Sequence, residues 1–136
     1  MKKKYLIVIA NYYENISKGL LDSALSLIPK SNSIKIINVP GVFEIPLTIS
    51  KNAKKYDAFL ALGCVIKGET PHFNFISKIT IEAIMKLSVQ SKKPIGNGIL
   101  TCINIDQASV RSNPAGTKRK GKEAAEAMLS VLGFKT

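Results

Sequence analysis

Apolar positions along the chain follow two alternating patterns. Short, nearly continuous apolar runs are typical of strands buried in a parallel sheet. Segments in which apolar side chains recur every three or four residues follow them and are typical of helices packed on a sheet. The predicted strands span residues 4–11, 33–39, 58–66 and 94–101. The predicted helices span residues 17–28, 44–55, 73–91, 105–112 and 121–132.

The helical spacing also predicts which side chains face the sheet. In the first helix these are Leu20, Leu21, Ala24, Leu25 and Ile28. In the long third helix they are Ile76, Ile79, Ala83, Ile84 and Leu87. In the last helix they are Ala124, Ala127, Met128, Val131 and Leu132.

This order of elements predicts a parallel sheet whose strands are joined by right-handed helical crossovers. We therefore expect an α/β protein, a three-layer α/β/α sandwich around a four-stranded parallel sheet. Its length fits a single domain spanning residues 1–136. Ligands of such sheets bind at the carboxyl ends of the strands. Four loops are predicted there: "ANYYE", "VPGVFE", "IKGETPH" and "TCINID".

The formal net charge of +11 at pH 7 is the one unusual total. A basic surface favours nucleic acids, but it also attracts phosphorylated small molecules. The lysines are scattered, apart from "KKK" at 2–4 and "KRKGK" at 118–122. A nucleic-acid-binding module therefore remains the alternative from another functional class, and we expect no nucleic-acid partner.

The two cysteines, Cys64 and Cys102, form no C-x-x-C pair, and with one histidine they make no convincing zinc site. No apolar run reaches the length of a membrane span. The start "MKKKYLIVIANYY" looks like a signal peptide, but its apolar stretch of about six residues is too short. We interpret it as the first strand and expect a cytoplasmic protein with reduced thiols and no membrane partner.

The loop "KGETPHF" combines features of an anion site. Thr70 is a good N-cap, and Pro71 then falls at the first helical position. Free backbone N–H groups at the positive end of a helix attract phosphate, provided that the Glu69 side chain points away. The helix dipole favours a neutral imidazole at His72, which suits proton transfer. An ordinary helix start with a structural histidine is the other interpretation.

Three other loops carry candidate ligands, each with an ordinary explanation beside it. Phe43 could cover a planar ring while Glu44 binds hydroxyls, or Phe43 packs in the core and Glu44 caps a helix. Tyr12 could stack on a heterocycle, or it is a half-buried tyrosine. Arg111 suits a phosphate, although surface arginines are common. No P-loop and no G-x-G-x-x-G after the first strand are present.

Two motifs together, "VPGVFEIP" and "ALGCVIKGETPHF", resemble the 6,7-dimethyl-8-ribityllumazine synthase family, and the likeness covers nearly the whole chain. The resemblance implies a flavodoxin-like fold and a transferase of riboflavin biosynthesis. It implies two small-molecule substrates, 5-amino-6-(D-ribitylamino)uracil and the phosphorylated 3,4-dihydroxy-2-butanone 4-phosphate. It also implies that no metal or organic cofactor takes part.

The resemblance assigns roles toward the pyrimidine substrate. Tyr12 is similar to the aromatic residue that stacks on the ring, and Lys120 to a lysine near the ribityl chain. The segment matching the ribityl-binding one is Val42, Phe43 and Glu44. The segment matching the wall that reads the uracil edges is Cys64, Val65 and Ile66.

The resemblance also assigns roles toward the phosphorylated substrate. Glu69 and Thr70 match the phosphate-binding turn, His72 the proton-transfer residue, and Arg111 a second phosphate ligand. The family builds each site between subunits of a homopentamer, which implies a pentamer or a multiple of five. Asn97, which stands where many relatives carry an aromatic residue, and Arg111 would then be donated by the neighbouring subunit.

Overall fold

The computed structural model describes residues 2–30, 32–68 and 71–133. The strands are β1 (Lys4–Ala10), β2 (Ser33–Val39), β3 (Ala58–Ile66) and β4 (Ile95–Cys102). The helices are α1 (Glu14–Leu25), α2 (Ile45–Lys51), α3 (His72–Ser91), α4 (Ile105–Ser112) and α5 (Lys120–Leu132). A short 3-10 turn, Val42–Glu44, precedes α2.

All strand pairs are parallel, and the strand order is β2-β1-β3-β4. The central strands β1 and β3 are buried along almost their whole length, as their continuous apolar runs predict. One core cluster joins the sheet to α1, α4 and α5, and a second joins its other face to α2 and α3. The predicted three-layer α/β/α sandwich with a four-stranded parallel sheet, flavodoxin-like in its strand order, is confirmed.

The strands predicted at 33–39 and 58–66 and the helix at 105–112 have the predicted bounds. The first helix begins earlier than predicted, at Glu14, whose carboxylate lies in the first turn where the helix dipole favours it. It also ends earlier, at Leu25, although Ile28 beyond it is still buried. In the segment predicted as one helix over 44–55, Glu44 ends the 3-10 turn, α2 spans only Ile45–Lys51, and residues 52–55 form a turn.

The predicted inner face of α5 is wrong at two positions. Ala127 and Val131 are exposed, whereas Ala125 and Leu129 are buried. The reason is the close contact of Gly121 with the backbone carbonyl of Leu20 in α1, where any side chain at 121 would collide. That contact turns the helix so that the small residues of α5 face α1 and the sheet.

The predicted inner face of α3 is wrong at Ile79, which is 55% exposed. The buried stripe runs instead through Thr80 and Ile84, with Ile76 and Leu87 packed against the same cluster.

No helix among residues 2–30, 32–68 and 71–133 is both long and apolar enough to cross a membrane.

Candidate active site

A cleft of about 470 Å³ opens at the carboxyl ends of β1 and β3. It brings together several residues that the sequence predicted for substrate binding and proton transfer. These are Tyr12, Val42, Phe43, Cys64, Val65, Ile66 and His72. We call this the apolar cleft, because aromatic and aliphatic side chains form most of its wall.

The loop after β1 presents an aromatic ring at the mouth of the apolar cleft. The Asn11 amide donates to the carbonyl of Val39 at 3.2 Å, which ties this loop to the end of β2. Tyr12 is 75% exposed, and its ring meets that of Tyr13 edge to face with centroids 4.9 Å apart. The edge contact leaves a face of the Tyr12 ring open for stacking on a planar ligand.

The 3-10 turn places Phe43 over the sheet edge because Gly63 in β3 has no side chain. A Cβ atom at Gly63 would lie 2.7 Å from Val42 Cγ1 and 3.2 Å from Ala10 Cβ. Val42 therefore packs directly on the two central strands and is buried, while Phe43 is 59% exposed. The alternative in which Phe43 packs in the core is wrong.

Glu44 is the N-cap residue of α2, but its side chain makes no capping hydrogen bond. Its backbone carbonyl accepts a hydrogen bond from Thr48 Oγ1 at 2.8 Å, and its carboxylate is exposed. The alternative in which the Glu44 side chain caps the helix is therefore wrong. Glu44 and Phe43 line a groove between α2 and α3 of about 620 Å³, next to the apolar cleft.

The end of β3 forms the back wall of the apolar cleft. Pairing between β1 and β3 ends at Ile9 and Leu62, whereas pairing with β4 continues to Ile66 and Cys102. The β1-facing edge of residues 64–66 thus extends past the last pair with β1. Backbone N–H and C=O groups there can pair with the polar edge of a flat heterocycle.

The Cys64 side chain contributes bulk to this wall rather than reactivity. Burial, followed by the neighbouring thiol of Cys102, raises the pKa of Cys64 to about 12. The thiol is therefore protonated at neutral pH, and a protonated thiol is a poor nucleophile. Burial, followed by Cys64, also raises the pKa of Tyr13.

His72 is the first residue of α3 and lies at the mouth of the apolar cleft, where it is exposed. Pro71 is the N-cap residue rather than the first helical residue that the loop motif predicted, and the helix begins one residue before the predicted span of 73–91. The Pro71 carbonyl already accepts from the amides of Asn74 and Phe75, at 3.1 and 3.3 Å. The predicted phosphate turn, Glu69 and Thr70, lies outside the described residues.

Arg111 and Lys120 line a second cleft of about 590 Å³, between the end of β4 and the start of α5. Lys118, Arg119 and Lys122 lie in its wall as well, so we call it the basic cleft. A partly desolvated phosphate interacts with such cations more strongly than it would in water.

Side-chain hydrogen bonds fix the beginning of α4, the helix that carries Arg111. Asn104 Oδ1 accepts from the Gln107 amide at 2.9 Å, and Gln107 Oε1 accepts from the Ile103 amide at 2.9 Å. These two bonds cap the beginning of α4 much as a capping box does, except that the second bond comes from the Ile103 amide rather than from that of the N-cap residue. Arg111 follows in the last turn, where a cation is favoured by the helix dipole.

Asn97 lies apart from both clefts, on the edge strand β4. Its Oδ1 accepts from the amide of Ile99 at 3.1 Å, and its side chain is half-buried. The side chain shares the sheet face of Ile95 and Ile99, the face covered by α2 and α3. Within one chain, the predicted site residues therefore fall into separate groups.

Sequence reasoning missed several residues that line the two clefts. Ile76 was assigned only to the core, but it lies one helical turn after His72, and that spacing could have placed it beside the imidazole. Gly41 also lines the apolar cleft, and its place in a turn before Phe43 gave only a weak signal.

Within the part of the chain that the structure describes, no three metal-ligating side chains form a group.

A family model described as 6,7-dimethyl-8-ribityllumazine synthase matches residues 2–136. The chain is 45% identical to the 6,7-dimethyl-8-ribityllumazine synthase of Bartonella tribocorum, over 99% of this chain and 93% of that protein. It is 46% identical to the enzyme of the same name from Bartonella bacilliformis, over 96% and 88%.

A third relative is the 6,7-dimethyl-8-ribityllumazine synthase 1 of Rhodopseudomonas palustris, 39% identical over 97% of this chain and 85% of that protein. Both the family match and the identities extend over nearly the whole chain. The chain therefore belongs to the 6,7-dimethyl-8-ribityllumazine synthase family.

Proposed function

We propose that this chain is a transferase that condenses 5-amino-6-(D-ribitylamino)uracil with 3,4-dihydroxy-2-butanone 4-phosphate to 6,7-dimethyl-8-ribityllumazine. The reaction releases phosphate and water and is the penultimate step of riboflavin biosynthesis. The observation that carries the proposal is the apolar cleft of a family member, which gathers Tyr12, Phe43 and His72 at one sheet edge.

The apolar cleft receives the pyrimidine substrate. The open face of Tyr12 stacks on the ring, while the backbone of residues 64–66 pairs with the uracil edge. The turn at residues 42–44 holds the ribityl chain, with the exposed Glu44 carboxylate accepting from its hydroxyls. Lys120 approaches the same chain from the basic cleft.

Arg111, together with Glu69 and Thr70, binds the phosphate of the second substrate. This anchors its ketone beside the amine of the pyrimidine, so the enzyme contributes mainly orientation. The 5-amino group attacks the ketone carbonyl and one water leaves, which gives an imine. Elimination then breaks the C–O bond to phosphate, and the resulting enol tautomerises to a carbonyl. The ribityl-bearing nitrogen attacks that carbonyl, and loss of a second water closes the ring. His72 accepts and returns the protons that these steps move. No metal or organic cofactor is needed for this sequence.

We further propose that the chain, as one domain over residues 1–136, assembles into a homopentamer or a multiple of five. Among the residues that the structure describes, the apolar cleft and the basic cleft of one chain have no lining residue in common. A ring of head-to-tail contacts would bring the basic cleft of one subunit to the apolar cleft of the next. Asn97 and Arg111 are then donated across each interface.

Exposed apolar side chains support such an interface. Large hydrophobic residues of α2 and α3 remain exposed, including Leu47, Phe75, Ile79, Met85 and Val89. Apolar side chains exposed in such number on neighbouring helices mark protein–protein contacts. Neither membrane nor nucleic acid is a partner in this proposal, and the location is cytoplasmic.

A direct assay tests the proposal. Purified protein is mixed with both substrates, and formation of the fluorescent lumazine and of inorganic phosphate is followed. We expect the two products in equal amounts, with no added metal or cofactor. Absence of lumazine while the protein is folded and the substrates are intact would refute the proposed reaction.

A further inference from the structure

Cys102, the last residue of β4, connects parts of the molecule that belong to different clefts. Its Sγ accepts a hydrogen bond from Arg111 Nη1 at 3.8 Å. Its thiol also contacts that of Cys64, which lines the apolar cleft. Its backbone carbonyl accepts from the Lys67 amide at 2.9 Å, at the start of the loop that leads to His72. Cys102 itself is 0% exposed.

The contact with Arg111 has a physical consequence for phosphate binding. An arginine side chain has many rotamers, and each must be given up before the guanidinium can point at an anion. Thiol sulfur is a weak acceptor, but a charged donor strengthens the bond. Because the sulfur is buried and fixed by β4, it restricts the directions that the guanidinium can take.

We propose that Cys102 is a positioning residue, which holds the guanidinium of Arg111 in the direction that binds the substrate phosphate. This inference rests on the proposed function, since it takes Arg111 as a phosphate ligand. Cys102 does not touch the substrate and acts only through Arg111.

A disulfide between the two thiols does not explain their contact. In the parallel register Cys64 lies opposite Leu100, and Cys102 lies opposite Ile66. The cysteines are thus diagonal neighbours, with Cα atoms about 7–8 Å apart, beyond the span that a disulfide normally bridges. Both cysteines are free in the structure. The function of Cys102 therefore depends on its acceptor and its place in the packing.

The competing explanation is that Cys102 only fills space at the end of β4. Two substitutions separate acceptor from volume: Cys102→Ala removes the acceptor, whereas Cys102→Ser keeps one in a similar volume. We expect Cys102→Ala to raise KM for the phosphorylated substrate by about three- to tenfold, the loss of one hydrogen bond. KM for the pyrimidine should stay unchanged, and Cys102→Ser should keep both values near wild type.

Ile7→Val is the matched control, because it removes one buried methylene from β1, a strand that does not neighbour β4 in the sheet. It should leave both KM values unchanged. Equal effects of Cys102→Ala and Cys102→Ser, or a parallel rise of both KM values, would overturn the positioning role.

A double substitution supplies a sharper test. If Cys102 acts only through Arg111, then Cys102→Ala should add no further loss in a protein that already carries Arg111→Ala. Multiplied losses in the double variant would show that Cys102 acts elsewhere and would overturn the proposal.

Inorganic phosphate, titrated by calorimetry, separates this proposal from the proposed reaction. We expect phosphate to bind wild type, to bind Arg111→Ala poorly, and to bind Cys102→Ala about three- to tenfold more weakly. That order without lumazine formation would refute the reaction while keeping the positioning role. Lumazine formation with equal phosphate affinity in wild type and Cys102→Ala would refute the positioning role while keeping the reaction.

Discussion

The apolar cleft and the basic cleft differ in what each can supply. The apolar cleft offers exposed rings, an open strand edge and the His72 imidazole, but Lys and Arg side chains are missing from its described wall. The basic cleft gathers Arg111 and several lysines, yet it contains no aromatic ring among the described residues. One cleft suits a flat heterocycle, and the other suits a phosphate.

If the proposed function is correct, this difference leaves a single chain with an incomplete site. A reaction between a heterocyclic amine and a phosphorylated ketone needs both kinds of surface within reach of one proton-transfer group. Folding places the apolar cleft above β1 and β3, whereas the basic cleft lies beyond the edge strand β4. Neighbouring subunits can combine the two surfaces without changing either.

Removing the proton-transfer group should have the largest effect on the apolar cleft. We expect His72→Ala to lower kcat by about a hundredfold, the size of a typical general acid–base contribution, with little change in KM. Steady-state kinetics with both substrates measures this. Asn74→Ala, an exposed change in the same helical turn, is the control and should keep kcat. A tenfold loss of pyrimidine affinity with unchanged kcat would contradict the assigned role.

Removing the guanidinium of the basic cleft should have the next largest effect. We expect Arg111→Ala to raise KM for the phosphorylated substrate by about ten- to thirtyfold, because a charge-assisted contact is lost. KM for the pyrimidine should change little. Lys35→Ala removes a positive charge from an exposed position on β2, outside both clefts, and serves as the control, with KM values within about twofold of wild type. Equal effects of the two substitutions would mean that Arg111 attracts the phosphate only through its charge and makes no specific contact with it.

Removing the exposed ring of the apolar cleft should have a smaller effect. We expect Tyr12→Ala to raise KM for the pyrimidine by about fivefold, since stacking on one aromatic face is lost. Tyr12→Phe keeps the ring and should bind as wild type does. Substrate titration by fluorescence measures both affinities. Similar weakening in Tyr12→Phe would mean that the hydroxyl, rather than the ring, makes the contact.

The sequence predicted the sheet well because its strands are continuous apolar runs bounded by polar turns. The segment 58–66 could only be a buried strand, and the structure places it at the centre of the sheet. The loops that follow the strands were therefore predicted at the correct edge. The gathering of Tyr12, Phe43 and His72 in one cleft follows from that order.

Helix faces were harder to predict, because apolar periodicity does not show how closely two helices approach. In α5, the glycine at 121 permits contact with the backbone of Leu20, which turns Ala125 inward and Ala127 outward. In α3, the buried stripe includes the polar Thr80 and leaves Ile79 exposed. Exposed apolar residues of this kind do not pack in the chain's own core, and such residues are typical of protein–protein contacts.

The local sequence pattern also could not predict that the two clefts are separate. Arg111 and His72 both follow strands at the carboxyl edge of the sheet, so the order of the elements places them at the same end of the molecule. How far apart their clefts lie depends on how α4 packs against β4. The contact between Arg111 and Cys102 joins residues nine positions apart through the end of a strand. Spacing in the sequence gives no signal for such a pair.

Mixing two impaired variants, assayed with the phosphorylated substrate well below its wild-type KM, tests most directly whether neighbouring chains complete each site. His72→Ala damages only the apolar cleft, and Arg111→Ala damages only the basic cleft, so a mixed ring contains some intact pairs. After the two variants are unfolded together and refolded at equal amounts, random assembly predicts about one quarter of wild-type activity. Activity no greater than the average of the two separate variants would contradict a site shared between subunits.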